Sequence, residues 1–242
     1  MVFLSRHSTC TQLFECLNGW TLTIDNHQGV AVGYIDFSRA FDSIVHNKLL
    51  VKLASYGIAN DLLALIKDFL TDRTQHVVVD GKISSISKVL SGVPQGSVLG
   101  PTLFILYIND IVDSLPTSTT CELFADDLKL YSVLNIINNA NSILSAFYTI
   151  KQWASIWQLQ INESKSNWLF IGRIASSFNN AFFASDINAM SSVSCIKDFG
   201  VIIDYDLSFS RYIEDITRRV YQRTYMIYKG FVSRDNIMLS KA

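Results

Sequence analysis

The chain has 242 residues, of which 49% are hydrophobic and only three are proline. This composition predicts one large globular domain, alone or with a small appendage, and excludes a disordered chain. Twenty basic and 21 acidic side chains leave a formal net charge of -1. The overall charge therefore does not indicate a nucleic-acid partner, and binding of a polyanion requires a local basic patch.

Cysteines and histidines are scattered along the chain. The four cysteines include no Cys-x-x-Cys pair, which disfavours a structural zinc site or a disulfide framework and predicts reduced, mostly buried thiols. The longest apolar stretch, 98–112, is broken by Gly100, Pro101, Asn109 and Asp110, as is typical of a buried helix and not of a membrane span. The apolar core of the first nine residues is too short for a signal peptide. We therefore expect an intracellular protein, in the nucleus or the cytoplasm, that does not bind membranes.

The periodicity of apolar residues predicts the secondary-structure elements in chain order. Helical spacing predicts helices over 8–24, 46–58, 60–72, 102–115, 136–157 and 210–229. Runs of β-branched and aromatic residues predict strands over 29–37, within 121–132, and over 159–162, 166–172 and 196–204. Asp80-Gly81 between β-prone arms predicts a ribbon over 75–90, and Asn60 or Asp61 is the expected N-cap of the third helix.

These elements alternate without the regular strand-helix-strand period of a doubly wound sheet. We therefore predict an α+β fold, with helices on one face of a small antiparallel sheet. The chain begins and stops within helix-like apolar patterns, so we interpret it as a fragment at both ends.

Three carboxylates stand at predicted strand ends. Asp36 comes at the end of the apolar run 29–37, and Asp126 and Asp127 lie at the centre of the hairpin predicted over 121–132. Two divalent cations about 3.5–4 Å apart need carboxylates from different chain segments, and an all-oxygen site suits magnesium. Both adjacent aspartates can reach one site only if the backbone turns there, because successive strand residues point to opposite faces.

Other interpretations of these carboxylates remain open. Asp36 is also a suitable helix cap or turn residue, a role that Ser38 could share. Asp126 and Asp127 also suit a solvated hairpin tip. A metal site built on the three aspartates would not by itself distinguish a polymerase from a cyclase or a phosphatase.

Five ordered segments resemble the palm motifs of reverse transcriptases from non-LTR retrotransposons, most closely the Jockey-type lineage. They are YIDFSRAFDSIVH, SGVPQGSVLGPTLFILYINDI, LFADDLKLY, LQINESKSNWLFIG and DFGVIIDYDLSFSRYI. The resemblance covers nearly the whole chain and implies a polymerase palm over residues 29–205. It implies a partial fingers or connecting helix over 1–28 and the incomplete start of a thumb over 206–242.

The resemblance also implies the chemistry. Asp36, Asp126 and Asp127 match the metal ligands, and Phe37 would add its backbone carbonyl. The implied reaction is attack of a DNA primer 3′-hydroxyl on a dNTP, directed by an RNA template and assisted by two Mg²⁺ ions, with Mn²⁺ as a possible substitute. Lys165 matches the lysine that protonates the leaving pyrophosphate. A surface lysine without a role is the alternative.

The same resemblance assigns nucleotide selection to a second residue of the first motif and to the second motif. Phe41 would pack under the incoming sugar and exclude a 2′-hydroxyl, whereas a core aromatic beside Ala40 is the alternative interpretation. Pro94, Gln95 and Gly96 match the loop that steadies the nucleotide or the template base.

The fifth motif implies contacts with the primer, and the final predicted helix looks like the first helix of a thumb that contacts the nucleic-acid backbone. Phe199, Gly200 and Val201 match a hairpin that grips the primer end. The final predicted helix carries basic residues suited to a phosphate backbone, namely Arg211, Arg218, Arg219 and Arg223. Its apolar residues Tyr212, Ile216 and Val220 would face the core, although a solvated helix is an equally suitable interpretation.

One motif departs from the family pattern. Where the family has Gly-Phe-Arg, this chain has Val2-Phe3-Leu4, so an arginine expected to clamp the triphosphate is absent. Two functions follow from the sequence: an active polymerase domain, or a truncated retrotransposon remnant that binds nucleic acid or metal weakly at most.

Overall fold

The computed structural model describes residues 8–134, 137–173 and 190–230. Its helices are α1 (Thr9–Asp25), α2 (His46–Ser55), α3 (Asn60–Leu70), α4 (Leu99–Ile108), α5 (Ile137–Trp157) and α6 (Ser210–Gly230), and a 3-10 helix, Asn109–Ser114, follows α4. Its strands are β1 (Gly29–Ile35), β2 (Thr74–Gln75), β3 (Val78–Val79), β4 (Lys82–Ile83), β5 (Ser87–Lys88), β6 (Thr120–Phe124), β7 (Asp127–Leu134), β8 (Asn167–Ile171), β9 (Ser191–Val193), β10 (Cys195–Asp198) and β11 (Val201–Asp204).

A five-stranded sheet forms the centre of the fold, in the order β6-β7-β1-β8-β9. Neighbouring strands are antiparallel except for the parallel pair β8–β9. Strand β1 lies in the middle, and six of its seven residues are buried. The α+β class predicted from the sequence is confirmed.

Helices cover both faces of this sheet, so the expectation that they lie on one face is wrong. Ala31 and Ile35 of β1 belong to the larger core with α2 to α5, whereas Val30 and Val32 pack with the buried side of α1. Because side chains alternate along a strand, a fully apolar β1 needs a cover on each face. Helix α1 provides the second cover.

Local contacts explain where α1 begins and how β1 fits beside β8. Ser8 caps α1 and accepts a hydrogen bond from the amide of Thr11, whose own hydroxyl accepts one from the amide of Ser8. Gly33 lies opposite Trp168 in the β1–β8 pair, and a Cβ at residue 33 would come within 2.5 Å of the indole ring. The absence of a side chain at Gly33 therefore makes room for Trp168.

Several local predictions differ from the structure. The N-cap position of helix α3 is Ala59, and no side chain makes a capping hydrogen bond there. Neither Asn60 nor Asp61 is therefore the N-cap. The strand expected over 159–162 is reduced to one bridge between Ile161 and Phe37. None of the helices in the described ranges is long and apolar enough to cross a membrane.

The ribbon and the last helix lie on the outside of the fold. The ribbon over 74–88 forms as the pairs β2–β5 and β3–β4, joined at Asp80-Gly81 as predicted. Helix α6 has no buried residue. Ile216 is 40% exposed and Val220 56% exposed, so the expectation that this helix turns apolar residues to the core is wrong.

All four cysteines are free, but only Cys16 is buried, so the prediction of mostly buried thiols is also wrong.

Candidate active site

A tight hairpin places Asp126 and Asp127 at the end of the central sheet. Strands β6 and β7 are joined by Ala125 and Asp126, and Phe124 pairs with Asp127. Ala125 has a φ of 54°, the left-handed conformation that two-residue hairpin turns require. The backbone therefore turns at the two aspartates, as the sequence predicts.

Asp36 and Asp127 come together through strand register. Ile35 pairs with Leu128 in the antiparallel β1–β7 pair, so Asp36 and Asp127 occupy the next opposed position. Both line a cavity of about 350 Å³, which we call the aspartate cavity; its lining also includes Tyr34, Lys129, Lys165, Asp198 and Phe199. Asp126, on the turn, is not among the residues that line it.

The electrostatics of this sheet end disfavour ionisation of Asp127. Partial desolvation raises the pKa of Asp127, and the negative charges of Asp126 and Asp36 raise it further, whereas Lys129 lowers it. Like charges held near one another favour the neutral form unless a cation compensates them. The charge of Asp127 therefore interacts with those of Asp126 and Asp36.

The donor set fits a divalent cation by its chemistry. Carboxylate oxygens with excess negative charge are what Mg²⁺ favours. Across 8–134, 137–173 and 190–230, however, no three His, Cys, Asp or Glu side chains lie close enough together to hold a metal ion. The sheet thus brings Asp36, Asp126 and Asp127 to one end without gathering their side chains into a formed metal site.

Hydrogen bonds hold the loop of Lys165 beside Asp36. The Asn162 amide donates to the carbonyl of Asp36 at 2.8 Å, and the Asp36 amide donates to the hydroxyl of Ser166 at 3.0 Å. Lys165 is exposed and lines the aspartate cavity with Asp36 and Asp127. A lysine at the edge of a carboxylate-lined cavity is well placed to meet a developing negative charge.

Phe37 is buried, and its side chain belongs to the larger core. Its bridge to Ile161 is flanked by hydrogen bonds from the Asn162 amide to the Asp36 carbonyl and from the Ser38 amide to the Gln160 carbonyl. Neither of these two hydrogen bonds uses the carbonyl of Phe37.

Phe41 stacks on a core aromatic. Its ring lies 4.2 Å from that of Phe104, centroid to centroid, with 20° between the planes. Phe41 is partly buried against the larger core. The stacking on Phe104 explains why Phe41 is partly buried. It is compatible with a contact between the rest of the ring and a nucleotide.

The Pro94-Gln95-Gly96 loop is tied to the segment that follows Phe41. The Val93 amide donates to the carbonyl of Phe41 at 2.9 Å, and Nε2 of Gln95 donates to Asp42 at 2.8 Å. Pro94 and Gln95 line a second cavity of about 870 Å³. This cavity shares no lining residue with the aspartate cavity, so the structure does not bring the loop and the aspartates into one pocket.

The glycine before this loop approaches its own chain closely. A Cβ on Gly92, whose φ is 86°, would lie 2.7 Å from the Cα of Asp42, whereas nothing lies within 4 Å of such a Cβ on Gly96. Gly92 therefore serves the packing of the loop.

The hairpin β10–β11 carries the residues expected at the primer end. Phe199 and Gly200 form its turn, with φ values of 45° and 92°, and Val201 pairs with Asp198. Phe199 lines the aspartate cavity, and its ring meets that of Phe124 edge to face at 5.0 Å. The structure therefore brings this turn beside the β6–β7 hairpin that carries Asp126 and Asp127.

Two arginines of α6 pair with a single acid of the same helix. Arg218 lies 2.6 Å from Asp215, and Arg219 also pairs with Asp215. Arg223 lies one turn further along the exposed helix. Exposed pairs of this kind contribute little stability.

Four residues of this region were missed by sequence reasoning. They are Tyr34, Lys129, Ser166 and Asp198. A signal was present for Lys129, a charged residue between Leu128 and Leu130 in the apolar strand β7. A buried charge in such a strand calls for a partner, although nothing in the sequence indicates which one.

Comparison with known proteins identifies the family. Residues 4–203 match the family model for "Reverse transcriptase (RNA-dependent DNA polymerase)". The chain is similar to the RNA-directed DNA polymerase from mobile element jockey of Drosophila melanogaster, with 33% identity over 88% of this chain and 24% of the relative. It is also similar to the probable RNA-directed DNA polymerase from transposon X-element of Drosophila melanogaster, with 28% identity over 98% of this chain and 26% of the relative.

Solved structures of telomerase share the fold. An apo telomerase from Candida tropicalis superposes with a TM-score of 0.58 and 12% identity, over 86% of this chain and 36% of that one. Telomerase from Candida albicans, in complex with a fragment of telomeric RNA, has a TM-score of 0.56, 14% identity, and coverage of 86% and 35%. The chain spans about a quarter of the length of the curated relatives it matches. It belongs to the reverse transcriptase (RNA-dependent DNA polymerase) family.

Proposed function

We propose that the chain carries the palm of an RNA-directed DNA polymerase of a non-LTR retrotransposon, which extends a DNA primer with dNTPs along an RNA template. The observation that carries this proposal is the opposition of Asp36 and Asp127 at the end of β1 and β7, in a cavity that Lys165 also lines. Palm residues 29–205, flanked by parts of the fingers and the thumb, are the proposed domain limits.

Asp36, Asp126 and Asp127 are the proposed ligands of the divalent cations, together with the carbonyl of Phe37. When bound, Mg²⁺ would neutralise these carboxylates, lower the pKa of the primer 3′-hydroxyl and stabilise negative charge on the phosphates. The raised pKa of Asp127 is consistent with this assignment, because desolvation and the negative charges of Asp126 and Asp36 disfavour its ionised form, which a bound cation would favour.

The other side chains bind and orient the substrates. Lys165 would give a proton to the leaving pyrophosphate, and its loop is held by hydrogen bonds to the Asp36 backbone. Phe41 would lie under the sugar of the incoming nucleotide, close to the loop of Gln95. The turn at Phe199 would hold the primer end, which is consistent with its place on the aspartate cavity.

Nucleic-acid partners are supported by the family and by the likeness to a telomerase solved with RNA. Arg218, Arg219 and Arg223 on the exposed helix α6 are the proposed backbone contacts. Because Asp215 partly neutralises two of them, we expect this helix to add a weak, salt-sensitive contribution.

An inactive remnant is the competing function, and it predicts no aspartate-dependent synthesis. The three aspartates and the strand register that opposes two of them are intact, which favours the polymerase. Primer extension on poly(rA)/oligo(dT) with Mg²⁺ separates the two. We expect Asp36→Asn, Asp126→Asn and Asp127→Asn each to lower the rate at least about 100-fold.

Asp113→Asn is the matched control, because Asp113 is exposed on the 3-10 helix and does not line the aspartate cavity. Extension by the parent that depends on the aspartates supports the polymerase. Equal rates for the parent and the three variants, or no extension by any of them, would overturn it.

A further inference from the structure

The hairpin β10–β11 is attached to the rest of the fold differently at its two ends. At its base, the amide of Gly172, which follows β8 of the central sheet, donates to the carbonyl of Tyr205. In the part of the chain that the structure describes, the hairpin is a separate two-stranded sheet. Its turn, at Phe199 and Gly200, is therefore held against the central sheet by side chains.

Asp198, next to that turn, makes two polar contacts with the central sheet. Its carboxylate lies 2.6 Å from Nζ of Lys129 and accepts a hydrogen bond from the hydroxyl of Tyr34 at 3.2 Å. Asp198 is 6% exposed and Lys129 is 4% exposed. Tyr34 and Lys129 are direct partners in the β1–β7 register, so their side chains share one face of the sheet.

This face is also the face of the catalytic residues. Tyr34 precedes Asp36 by two positions and Lys129 follows Asp127 by two positions. Because side chains alternate with a period of two, all four residues point to the same side of the sheet. The contact to Asp198 thus lies two residues along each strand from the aspartates.

Lys129 is itself held in place by its surroundings. Its ammonium lies 3.9 Å from Glu122 and within 5.8 Å of the ring centroids of Trp20, Tyr34 and Phe199. Charge and packing therefore restrict where the ammonium can go, which makes it a fixed anchor for the carboxylate of Asp198.

We propose that Lys129 and Tyr34 are positioning residues that hold Asp198, and with it the Phe199-Gly200 turn, at a set place relative to Asp36 and Asp127. We call the contacts of Asp198 with Lys129 and Tyr34 the latch. Its proposed role rests on the proposed function, in which the turn holds the primer end. Among the described residues, Lys129 also forms an ion pair with Asp198 at 2.6 Å, whereas neither Asp36 nor Asp127 forms one.

A buried ion pair that only stabilises the fold is the alternative, because removing one partner of any such pair is costly. Hydrogen exchange and steady-state kinetics separate the two roles. The variants are Lys129→Met, Asp198→Asn, the double variant and Tyr34→Phe. Tyr34→Phe removes only a hydroxyl group, so it tests the latch even if Lys129→Met does not fold. Lys151→Met is the control, since it removes a lysine paired with Glu163 away from the cavity.

We expect amides of residues 196–203 to exchange at least about tenfold faster in Lys129→Met and Asp198→Asn, with a smaller increase in Tyr34→Phe. Amides of β1 and β8 should exchange as in the parent, and Lys151→Met should change none of these rates.

In primer extension, the KM for the primer should rise roughly tenfold or more while the KM for dNTP stays within about twofold. The double variant should recover part of the loss, because it leaves no unpaired buried carboxylate.

Unchanged exchange over 196–203 in both single variants would overturn the latch. So would faster exchange throughout the sheet, or faster exchange of the hairpin with an unchanged KM for the primer. If the parent extends no primer, the proposed function fails, and the exchange data alone decide whether Lys129 and Tyr34 hold the turn.

Discussion

Asp36 and Asp127 occupy opposed positions across the β1–β7 pair, one step beyond Ile35 and Leu128. Like charges placed directly opposite on neighbouring strands are unfavourable. Without a cation, the fold therefore holds two carboxylates where they oppose its stability. Such a cost is expected at a site built to bind a positive charge.

Asp127→Asn should raise the free energy of unfolding at pH 7 in the absence of Mg²⁺. The folded-state pKa of Asp127 is raised above 3.8 by desolvation and by Asp126 and Asp36. The stability that this group contributes is therefore present below pH 3.8 and is lost as the pH rises through its folded-state pKa. We expect a gain of only about 0.2–1 kcal/mol, because the residue is exposed and solvent screens its interactions.

Urea unfolding at pH 7 and pH 3 measures this effect. The gain should vanish at pH 3, and Asp113→Asn should show none at either pH. Added Mg²⁺ should stabilise the parent more than Asp127→Asn, since the variant lacks one proposed ligand. A variant that is less stable than the parent at pH 7 would contradict the prediction.

Phe41→Ala tests the two roles assigned to that ring. Loss of the stacking on Phe104 should lower the free energy of unfolding by about 2 kcal/mol, less than for a fully buried phenylalanine. If Phe41 also excludes a 2′-hydroxyl, the variant should incorporate ribonucleotides at least about tenfold better relative to deoxynucleotides.

Phe69→Ala is the matched control for Phe41, because Phe69 is also partly buried against the larger core. It should lose stability without a change in sugar selectivity, as measured by competing rNTP and dNTP in primer extension. A Phe41→Ala enzyme with the selectivity of the parent would show that the ring is only a core residue.

Gly92→Ala and Gly96→Ala should differ in their effect on stability. Both glycines have positive φ, but only at residue 92 would a Cβ meet backbone, 2.7 Å from Asp42. We expect Gly92→Ala to cost about 3 kcal/mol, from strain and from the displaced backbone. Gly96→Ala should cost about 1 kcal/mol, from the strained backbone alone. Equal losses in urea unfolding would show that the loop moves away from Asp42 at no cost.

Lys165→Met should lower kcat for primer extension by about 10²–10⁴-fold, the usual range for loss of a general acid. The KM for the primer should change little, because Lys165 is proposed to act on the leaving group. Lys151→Met is again the control, since that lysine lies outside the aspartate cavity. A rate within twofold of the parent would make Lys165 a surface lysine without a role.

The sequence by itself determined the local elements and the candidate chemistry. The helices that become α1, α2, α3 and α6, and the hairpin that presents Asp126 and Asp127, follow from spacings of two to four residues. Those spacings reflect contacts within one element, so they can be recognised directly in the sequence. The motif order around Asp36 and Lys165 indicated the family, which the comparisons confirm.

Tertiary structure decided the relationships between distant residues. Tyr34 meets Asp198 across 164 positions, Phe41 stacks on Phe104, and α1 covers the face of the sheet opposite α2 to α5. None of these contacts has a periodic signal, because each depends on strand register and on which surfaces pack together. The same physics left α6 without a buried residue: its pattern is amphipathic, but a pattern cannot specify the surface that covers it.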